Sequence, residues 1–175
     1  MDIQALHDRL SQRFGPAVTG NNLAAIDPWV EVDGARLPEI ARFLRDEPDL
    51  RFNLLHCITA VDYLHVDSAA AKAEWQPHVE LVYHLSSTVH RHRLVLKVQL
   101  PRWKDGVAGR LPEVPSVSEI WRTADWHERE VYDLSGVRFL GHADLRRILC
   151  PEDFPGHPLR KDFSMPSEYH GIVTG

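Results

Sequence analysis

The residues best able to do chemistry lie between Asp125 and Phe163, which we call the charged segment. It carries eight acidic and six basic residues with aromatic residues among them. Its acids could transfer protons, and its histidines could ligate a metal. The mixture is too polar for a core and too aromatic for a solvated linker. Arginine and aromatic residues beside opposite charges are typical of a buried protein–protein contact.

The acids at the start of the charged segment do not match a known catalytic motif. His127-Glu128 begins like the HExxH motif of zinc hydrolases, but position 131 is Val131 where the second histidine is required. Glu130 and Asp133 lie three residues apart, as neighbours on one helix face do, and no nucleophile motif or phosphate loop accompanies them. The spacing therefore favours structural charge pairing, within the chain or across an interface.

A His/Asp metal site is an alternative interpretation of the glycine-histidine steps. His142 and His157 each follow a glycine, and Asp144 and Asp153 lie nearby. The gap of fifteen residues between the histidines is uninformative about a metal site. Loop histidines more often bind backbone groups or acids, so the metal site is the less favoured interpretation.

Two basic pairs in the charged segment could bind phosphate. They are Arg146-Arg147 and Arg160-Lys161, and both lie among acids. Arginine forms paired hydrogen bonds with carboxylates, so pairing with acids of this chain or of a partner is the favoured interpretation. The acids concerned are Asp144, Glu152, Asp153 and Asp162.

The composition excludes several classes of protein. The net charge is −5 without a basic face, which argues against non-specific binding to nucleic acid or anionic membranes. No apolar run approaches the roughly 20 residues that span a bilayer, and a polar N-terminus argues against a secretory signal. Cys57 and Cys150 cannot by themselves hold a four-thiolate cluster, and two reduced thiols are expected.

Hydrophobic periodicity predicts an α+β fold for a domain over residues 1–135. The predicted elements are helices at 2–14 and 37–44, strands at 29–32 and 50–63, a hairpin of 79–85 with 94–100, and short helices at 117–123 and 126–134. The two short helices are predicted from two capping boxes, Ser116 with Glu119 and Asp125 with Glu128. Gly136 is expected to end the second helix.

The remaining stretches are expected to lack long regular elements. Residues 18–26 are ambiguous, with a short strand and a turn at Gly20-Asn21-Asn22 as the interpretation, and 68–72 and 104–115 are expected to be connections. Residues 136–175 are broken by prolines, which predicts an extended docking tail without a core of its own. Such a tail needs a surface to be ordered.

The sequence from Trp126 to Phe139, WHEREVYDLSGVRF, closely resembles the signature of the thirty-kilodalton subunit (the C subunit) of respiratory complex I, the proton-pumping NADH:quinone oxidoreductase. The continuation from Gly141 to Phe163 also resembles that family, as does Thr59–Tyr63 upstream. The similarity is ungapped over 126–163 and weaker over most of the rest of the chain.

The resemblance implies a two-layer domain with a mixed β-sheet and flanking helices. It also implies a structural and assembly subunit without a cofactor in the peripheral arm of the complex. The complex carries electrons from NADH through FMN and iron–sulfur clusters to quinone and couples this to proton translocation. The implied partners are the forty-nine-kilodalton-type subunit (D), the twenty-kilodalton-type subunit (B) and the ferredoxin-like subunit (I). The implied location is the cytoplasmic face of the bacterial inner membrane, reached only through the complex.

The charges and aromatics of the charged segment are then expected to form the partner interface, with no catalytic, cofactor or metal residues. Loss of assembled complex is expected for Arg160→Ala or Glu130→Ala. The interface residues are Trp126, Glu128, Arg129, Glu130, Asp133, His142, Arg146, Arg147, Glu152, Asp153, His157, Arg160, Lys161 and Asp162. Alternatives are the equivalent subunit of an energy-converting membrane-bound hydrogenase or ferredoxin-linked complex, and a free-standing enzyme with a metal at His142 and His157.

Overall fold

Three strands with alternating apolar residues form the middle of a five-stranded mixed sheet. The computed structural model describes residues 2–64 and 76–174, and the connection expected at 68–72 lies outside this range. The strands of the sheet are β1 (Val18–Asn22), β2 (Trp29–Val32), β3 (Leu54–Tyr63), β4 (His78–Ser86) and β5 (Arg93–Pro101). Their order is β1-β2-β5-β4-β3, in which only β2 and β5 are parallel. The predicted α+β class with a mixed sheet is confirmed.

Helices cover one face of this sheet. They are α1 (Ile3–Phe14), α2 (Leu37–Asp46) and α3 (Ala124–Ser135). On α1 the buried residues are Leu6, Leu10 and Phe14, four apart, and they join the core formed by one side of β4 and β5. On the other side of the same strands, Val82 and Val95 are only half buried. The predicted helices at 2–14 and 37–44 and the antiparallel hairpin are confirmed.

Two predictions about strands need correction. Gly20, Asn21 and Asn22 do not form a turn, because they are paired with β2 and the chain reverses only after them. Strand β3 begins at Leu54 and not at residue 50, since the preceding stretch, with Arg51 at a φ of 46°, is irregular although Leu50 and Phe52 are buried.

The predicted helix at 117–123 is wrong, and so are both capping boxes. This stretch consists of turns that are held by bonds to distant elements. Trp121 Nε1 donates to Phe52 O at 2.7 Å, and Thr123 Oγ1 donates to Leu55 O at 3.0 Å. Helix α3 begins at Ala124, so Asp125 lies in its first turn and does not cap it. Tertiary contacts have overridden the local sequence signal.

Residues 104–115 are also more regular than predicted. They contain a 3₁₀ turn at Lys104–Gly106 and a strand, β6 (Glu113–Pro115). Strand β6 pairs in parallel with β7 (Arg138–Leu140), which directly follows α3. A further small hairpin joins β8 (Glu168–Tyr169) to β9 (Ile172–Val173). As predicted, no long element follows Gly136 within the described residues.

Gly136 ends α3 in the left-handed conformation, as predicted, with φ at 68°. A Cβ at this position would lie 2.6 Å from Cδ2 of His157, whereas Gly141, with φ at 82°, has nothing within 4 Å of such an atom. An alanine at Gly141 would therefore introduce backbone strain alone, whereas an alanine at Gly136 would introduce both strain and a clash with His157.

We expect Gly136→Ala to lower the free energy of unfolding by about 2–4 kcal/mol, because it adds a clash to the strain. Gly141→Ala should cost about 1–2 kcal/mol from strain alone. Urea unfolding of the two purified variants measures both values. Equal losses would show that His157 moves away freely.

Candidate partner-binding segment

Helix α3 presents Asp133 to the chain that follows it. The Asp133 side chain is fully buried. Its Oδ2 accepts hydrogen bonds of 2.7–3.0 Å from the backbone N–H groups of residues 148–150, and its Oδ1 accepts one from Arg147 Nη1 at 2.9 Å. Burial alone would raise the pKa of Asp133, but these hydrogen bonds outweigh it and hold the pKa below its usual value. The carboxylate anchors the loop to the helix.

The same end of α3 binds the next part of the charged segment. His157 Nδ1 donates to Asp133 O at 2.9 Å, and Leu159 N donates to Leu134 O at 2.9 Å. Arg147 Nη2 donates to Gly156 O at 2.9 Å. Burial lowers the pKa of His157, so its ring is neutral at pH 7 and fits a role as a hydrogen-bond donor to backbone.

A second set of charges holds residues 160–162 against the edge strand β3. Arg102 binds Asp62 through Nε at 2.9 Å and Nη2 at 2.7 Å, and binds Asp162 through Nη1 at 3.0 Å. Arg160 Nε donates to Asp162 at 3.1 Å, and Lys161 N donates to Asp62 at 2.9 Å. Burial would raise the pKa of Asp162, but Arg102 and Arg160 lower it to about 2. Hydrogen bonds from Arg102 likewise hold the pKa of Asp62 below its usual value against the effect of burial, so both acids are ionised.

Glu128 is the most perturbed acid of the charged segment. Its side chain is fully buried; Oε1 accepts from Val117 N at 2.7 Å and Oε2 from Ser116 Oγ at 2.5 Å. Burial raises its pKa to about 7 against the opposing effect of these two hydrogen bonds, with a smaller contribution from Asp125. The buried His142 ring has Nε2 4.0 Å from Glu128 Oε2 and 3.1 Å from Asp125 O.

The predicted interface residues thus divide into two groups. Glu128, Arg129, Asp133 and Arg160 are buried, and His142, Arg147 and His157 are partly buried with bonds inside the chain. Glu128 and Asp133 have fully buried side chains, which an approaching partner cannot touch. The exposed or half-exposed members are Trp126, Glu130, Arg146, Glu152, Asp153, Lys161 and Asp162.

Trp126 is the most prominent exposed aromatic residue of this region. It is 61% exposed on α3, and the Arg129 guanidinium carbon lies 4.8 Å from the centre of its ring. Exposed apolar side chains continue along the following chain at Leu140, Leu149 and Leu159, each about half exposed or more. Sequence reasoning missed these leucines, because a single apolar residue in a loop carries no periodic signal.

Sequence reasoning also missed the residues outside the charged segment that bind it. Asp62 falls within the predicted buried strand, and no local pattern indicates that Arg102 and Ser116 hold the segment. An acid within the apolar run of β3 is a signal of a buried charge pair, but the partner 40 residues away cannot be deduced from it.

The alternative metal site finds no support in the geometry. His142 binds Asp125 O and accepts from Asp144 N, while His157 binds Asp133 O. Within residues 2–64 and 76–174, no three histidine, cysteine, aspartate or glutamate side chains lie together as metal ligands would.

The helices described there are also all too short or too polar to cross a membrane.

Comparison with known proteins gives consistent results. A family model described as respiratory-chain NADH dehydrogenase, 30 Kd subunit, matches residues 30–169. The C subunit of the NADH-quinone oxidoreductase of Chlorobium phaeobacteroides is 42% identical over 96% of this chain and 92% of the relative. That of Roseiflexus castenholzii is 43% identical over 91% of this chain and 83% of the relative.

Two solved structures have similar folds. The trypsin-resistant fragment of Nqo5 superposes with a TM-score of 0.59 and 26% identity, covering 83% of this chain and all of the fragment. A chain of the membrane-bound sulfane sulfur reductase, an archaeal respiratory membrane complex, superposes with a TM-score of 0.67 and 25% identity. That match covers 93% of this chain and 85% of the other.

We expect Asp133→Asn to lower the free energy of unfolding by about 3–5 kcal/mol. The substitution removes the charge that pairs with Arg147 and replaces one acceptor oxygen with an NH₂ group, which cannot accept the hydrogen bonds that the carboxylate accepts. Hydrogen exchange of the backbone N–H groups at 148–150 should become faster. Asp144→Asn is the control, since its pair with Arg146 is exposed and should contribute less than about 1 kcal/mol. Unchanged exchange at 148–150 would contradict the anchoring role.

The raised pKa of Glu128 predicts a pH effect on stability. A carboxyl group with a pKa of about 7 when folded and 4.5 when unfolded stabilises the fold below pH 4.5, and this contribution is lost as the pH rises through 7. Relative to the wild type, Glu128→Gln should therefore gain on the order of 3 kcal/mol between pH 4.5 and 8. Denaturant unfolding at several pH values measures this difference.

Glu130→Gln provides the matched control on the same helix. Its carboxylate is exposed, so we expect no comparable gain with pH. A parallel pH profile for Glu128→Gln and the wild type would show that Glu128 is ionised without cost.

Proposed function

The chain belongs to the family of respiratory-chain NADH dehydrogenase 30 Kd subunits, and from this membership we propose that it is a structural subunit of the peripheral arm of an NADH:quinone oxidoreductase. The complex would carry electrons from NADH through FMN and iron–sulfur clusters to quinone, coupled to proton translocation. The chain itself would contribute a surface that holds its neighbours, and no catalytic residues. It would reach the cytoplasmic face of the bacterial inner membrane through the complex.

One observation carries this proposal. Among the described residues, seven of the ten large apolar side chains that are exposed lie between 126 and 173. They are Trp126, Leu140, Leu149, Leu159, Met165, Ile172 and Val173. Apolar side chains concentrated on one stretch and bordered by charge are typical of a surface that another protein covers.

The internal bonds of the charged segment support the same role. Asp133 binds the backbone N–H of Leu149, and Asp62, paired with Arg102, binds the backbone N–H of Lys161 near Leu159. A surface already held in place loses less conformational entropy when a partner binds. We infer that the globular domain (residues 1–135) serves as the base, and that the tail (136–175) makes the contacts together with Trp126 of α3.

The partners would be the forty-nine-kilodalton-type subunit (D), the twenty-kilodalton-type subunit (B) and the ferredoxin-like subunit (I). Those subunits would supply the clusters and the quinone site. The exposed charges of Glu130, Arg146, Glu152 and Asp153 would lie at the edge of the contact, where they guide association more than they add affinity.

A second candidate is the equivalent subunit in a complex with a different electron donor or acceptor, such as an energy-converting hydrogenase or a ferredoxin-linked complex. The similarity to a chain of the sulfane sulfur reductase favours considering it. Identities of 42–43% to NADH-quinone oxidoreductase subunits, against 25% to that chain, favour the first candidate.

Purification of the tagged chain from native membranes in mild detergent tests the proposal. We expect the NADH-binding and cluster-bearing subunits to copurify with NADH:quinone activity. Hydrogenase or ferredoxin-linked partners would favour the second candidate. A chain recovered alone would overturn both.

In the same experiment, Trp126→Ala and Leu159→Ser should lower the yield of assembled complex several-fold, because anchor residues at the centre of an interface dominate its affinity. Turnover per assembled complex should stay unchanged. Val89→Ser is the control, since Val89 is similarly exposed but lies outside the stretch. Equal yields for all three variants would place the contact elsewhere.

A further inference from the structure

Arg160 has more hydrogen-bond donors than the chain uses. Its side chain is 4% exposed, yet only Nε has a partner, the Asp162 carboxylate at 3.1 Å. Neither Nη1 nor Nη2 has a hydrogen-bond partner among the described residues. A guanidinium carries five N–H groups, so four of them are buried without an acceptor. Unpaired donors of a buried charged group are costly and rare in native proteins.

The nearby acids are already occupied by another arginine. Arg102 donates from all three of its nitrogens to Asp62 and Asp162. Asp62 also accepts from Lys161 N. The network therefore satisfies Arg102 and leaves the outer nitrogens of Arg160 without a carboxylate.

Arg160 also lines a cleft in the surface. The cleft has a volume of about 370 Å³ and is bordered by Trp103, Leu111, Pro155 and Phe163, and by Asp162, whose carboxylate already pairs with Arg102 and Arg160. The guanidinium carbon of Arg160 lies 3.8 Å from the centre of the Trp103 ring. Stacking on an indole fixes the plane of a guanidinium and leaves its edge available for paired hydrogen bonds.

We propose that this cleft receives an aspartate or glutamate side chain of a neighbouring subunit, which displaces the cleft wall that covers Nη1 and Nη2 of Arg160 and whose carboxylate then accepts hydrogen bonds from both nitrogens. A carboxylate matches both the charge and the spacing of the two nitrogens. The exposed Lys161, next in the chain, adds positive charge that attracts an acid. This inference rests on the proposed function, because it requires an assembled partner.

Arg160→Lys converts the site into one that can be cross-linked. A water-soluble carbodiimide joins an amine to a carboxylate at salt-bridge distance without a spacer. In the complex purified from native membranes, we expect mass spectrometry to find the substituted residue joined to an aspartate or glutamate of another subunit. Absence of such a link overturns the inference, whether or not the residue is joined to Asp162. Links from the native Lys161 are identified in the wild type and subtracted.

Arg147→Lys is the matched control. Both outer nitrogens of Arg147 have partners in its own chain, Asp133 and Gly156 O. We expect the substituted residue to form no cross-link to another subunit, because the acid that it faces, Asp133, is fully buried. A partner link at Arg147→Lys as frequent as at Arg160→Lys would show that the reagent does not discriminate, and would remove the support for the cleft.

Two further outcomes distinguish the inference from the function. If the wild-type chain captures no partner, the proposed function fails and this inference fails with it. If the Arg160→Lys chain does not assemble with its partners, the midpoints of thermal unfolding of the purified chains show whether the substitution has damaged the fold or the contact. A midpoint equal to that of the wild type, with partner capture at least about tenfold lower, supports the inference. A midpoint lowered as far as that of Arg147→Lys overturns it, since Arg160 would then act within the chain.

Discussion

The buried carboxylate of Asp133 is the constraint on which the C-terminal half of the structure depends. Helix α3 carries this charge into the interior, where an unpaired carboxylate is strongly unfavourable. Three consecutive backbone N–H groups and Arg147 must therefore surround it. Because those donors come from a stretch without a helix or strand, satisfying one side chain fixes the path of the loop and brings His157 to the end of the helix.

Several charges of the charged segment consequently serve the fold of their own chain. Arg102 between Asp62 and Asp162 follows the same principle further along the chain, where ionised groups again hold backbone in place. The high content of acids and arginines in the charged segment therefore has a different explanation from the one that the sequence suggested. A segment rich in acids and arginines suggested an interface of paired charges, whereas the structure places many of those pairs inside the molecule and leaves leucines and Trp126 at the surface.

Local sequence patterns predicted the elements whose signal is periodic. The helix with Leu6 and Leu10 and the alternating strands β4 and β5 followed from spacing, and Gly136 followed from the conformation that only glycine adopts readily. The turns before α3 could not be predicted, because their contacts to Phe52 and Leu55 join residues almost 70 positions apart. The burial of Asp133 could not be predicted either. Its spacing from Glu130 indicates that both lie on a helix, but it does not indicate which face of that helix packs against the rest of the chain.

The contrast between Arg102 and Arg160 is the basis for the proposed role of Arg160 in partner binding. Two arginines share the surroundings of two acids, and geometry lets only one of them use all its nitrogens. The other is stacked on Trp103, so its orientation is fixed before any partner arrives. A donor that is rigid and poorly solvated loses little entropy and little hydration on pairing. Under the proposed function, the internal charge network would prepare the contact, and the exposed apolar residues between 126 and 173 would supply the area that a neighbouring protein buries.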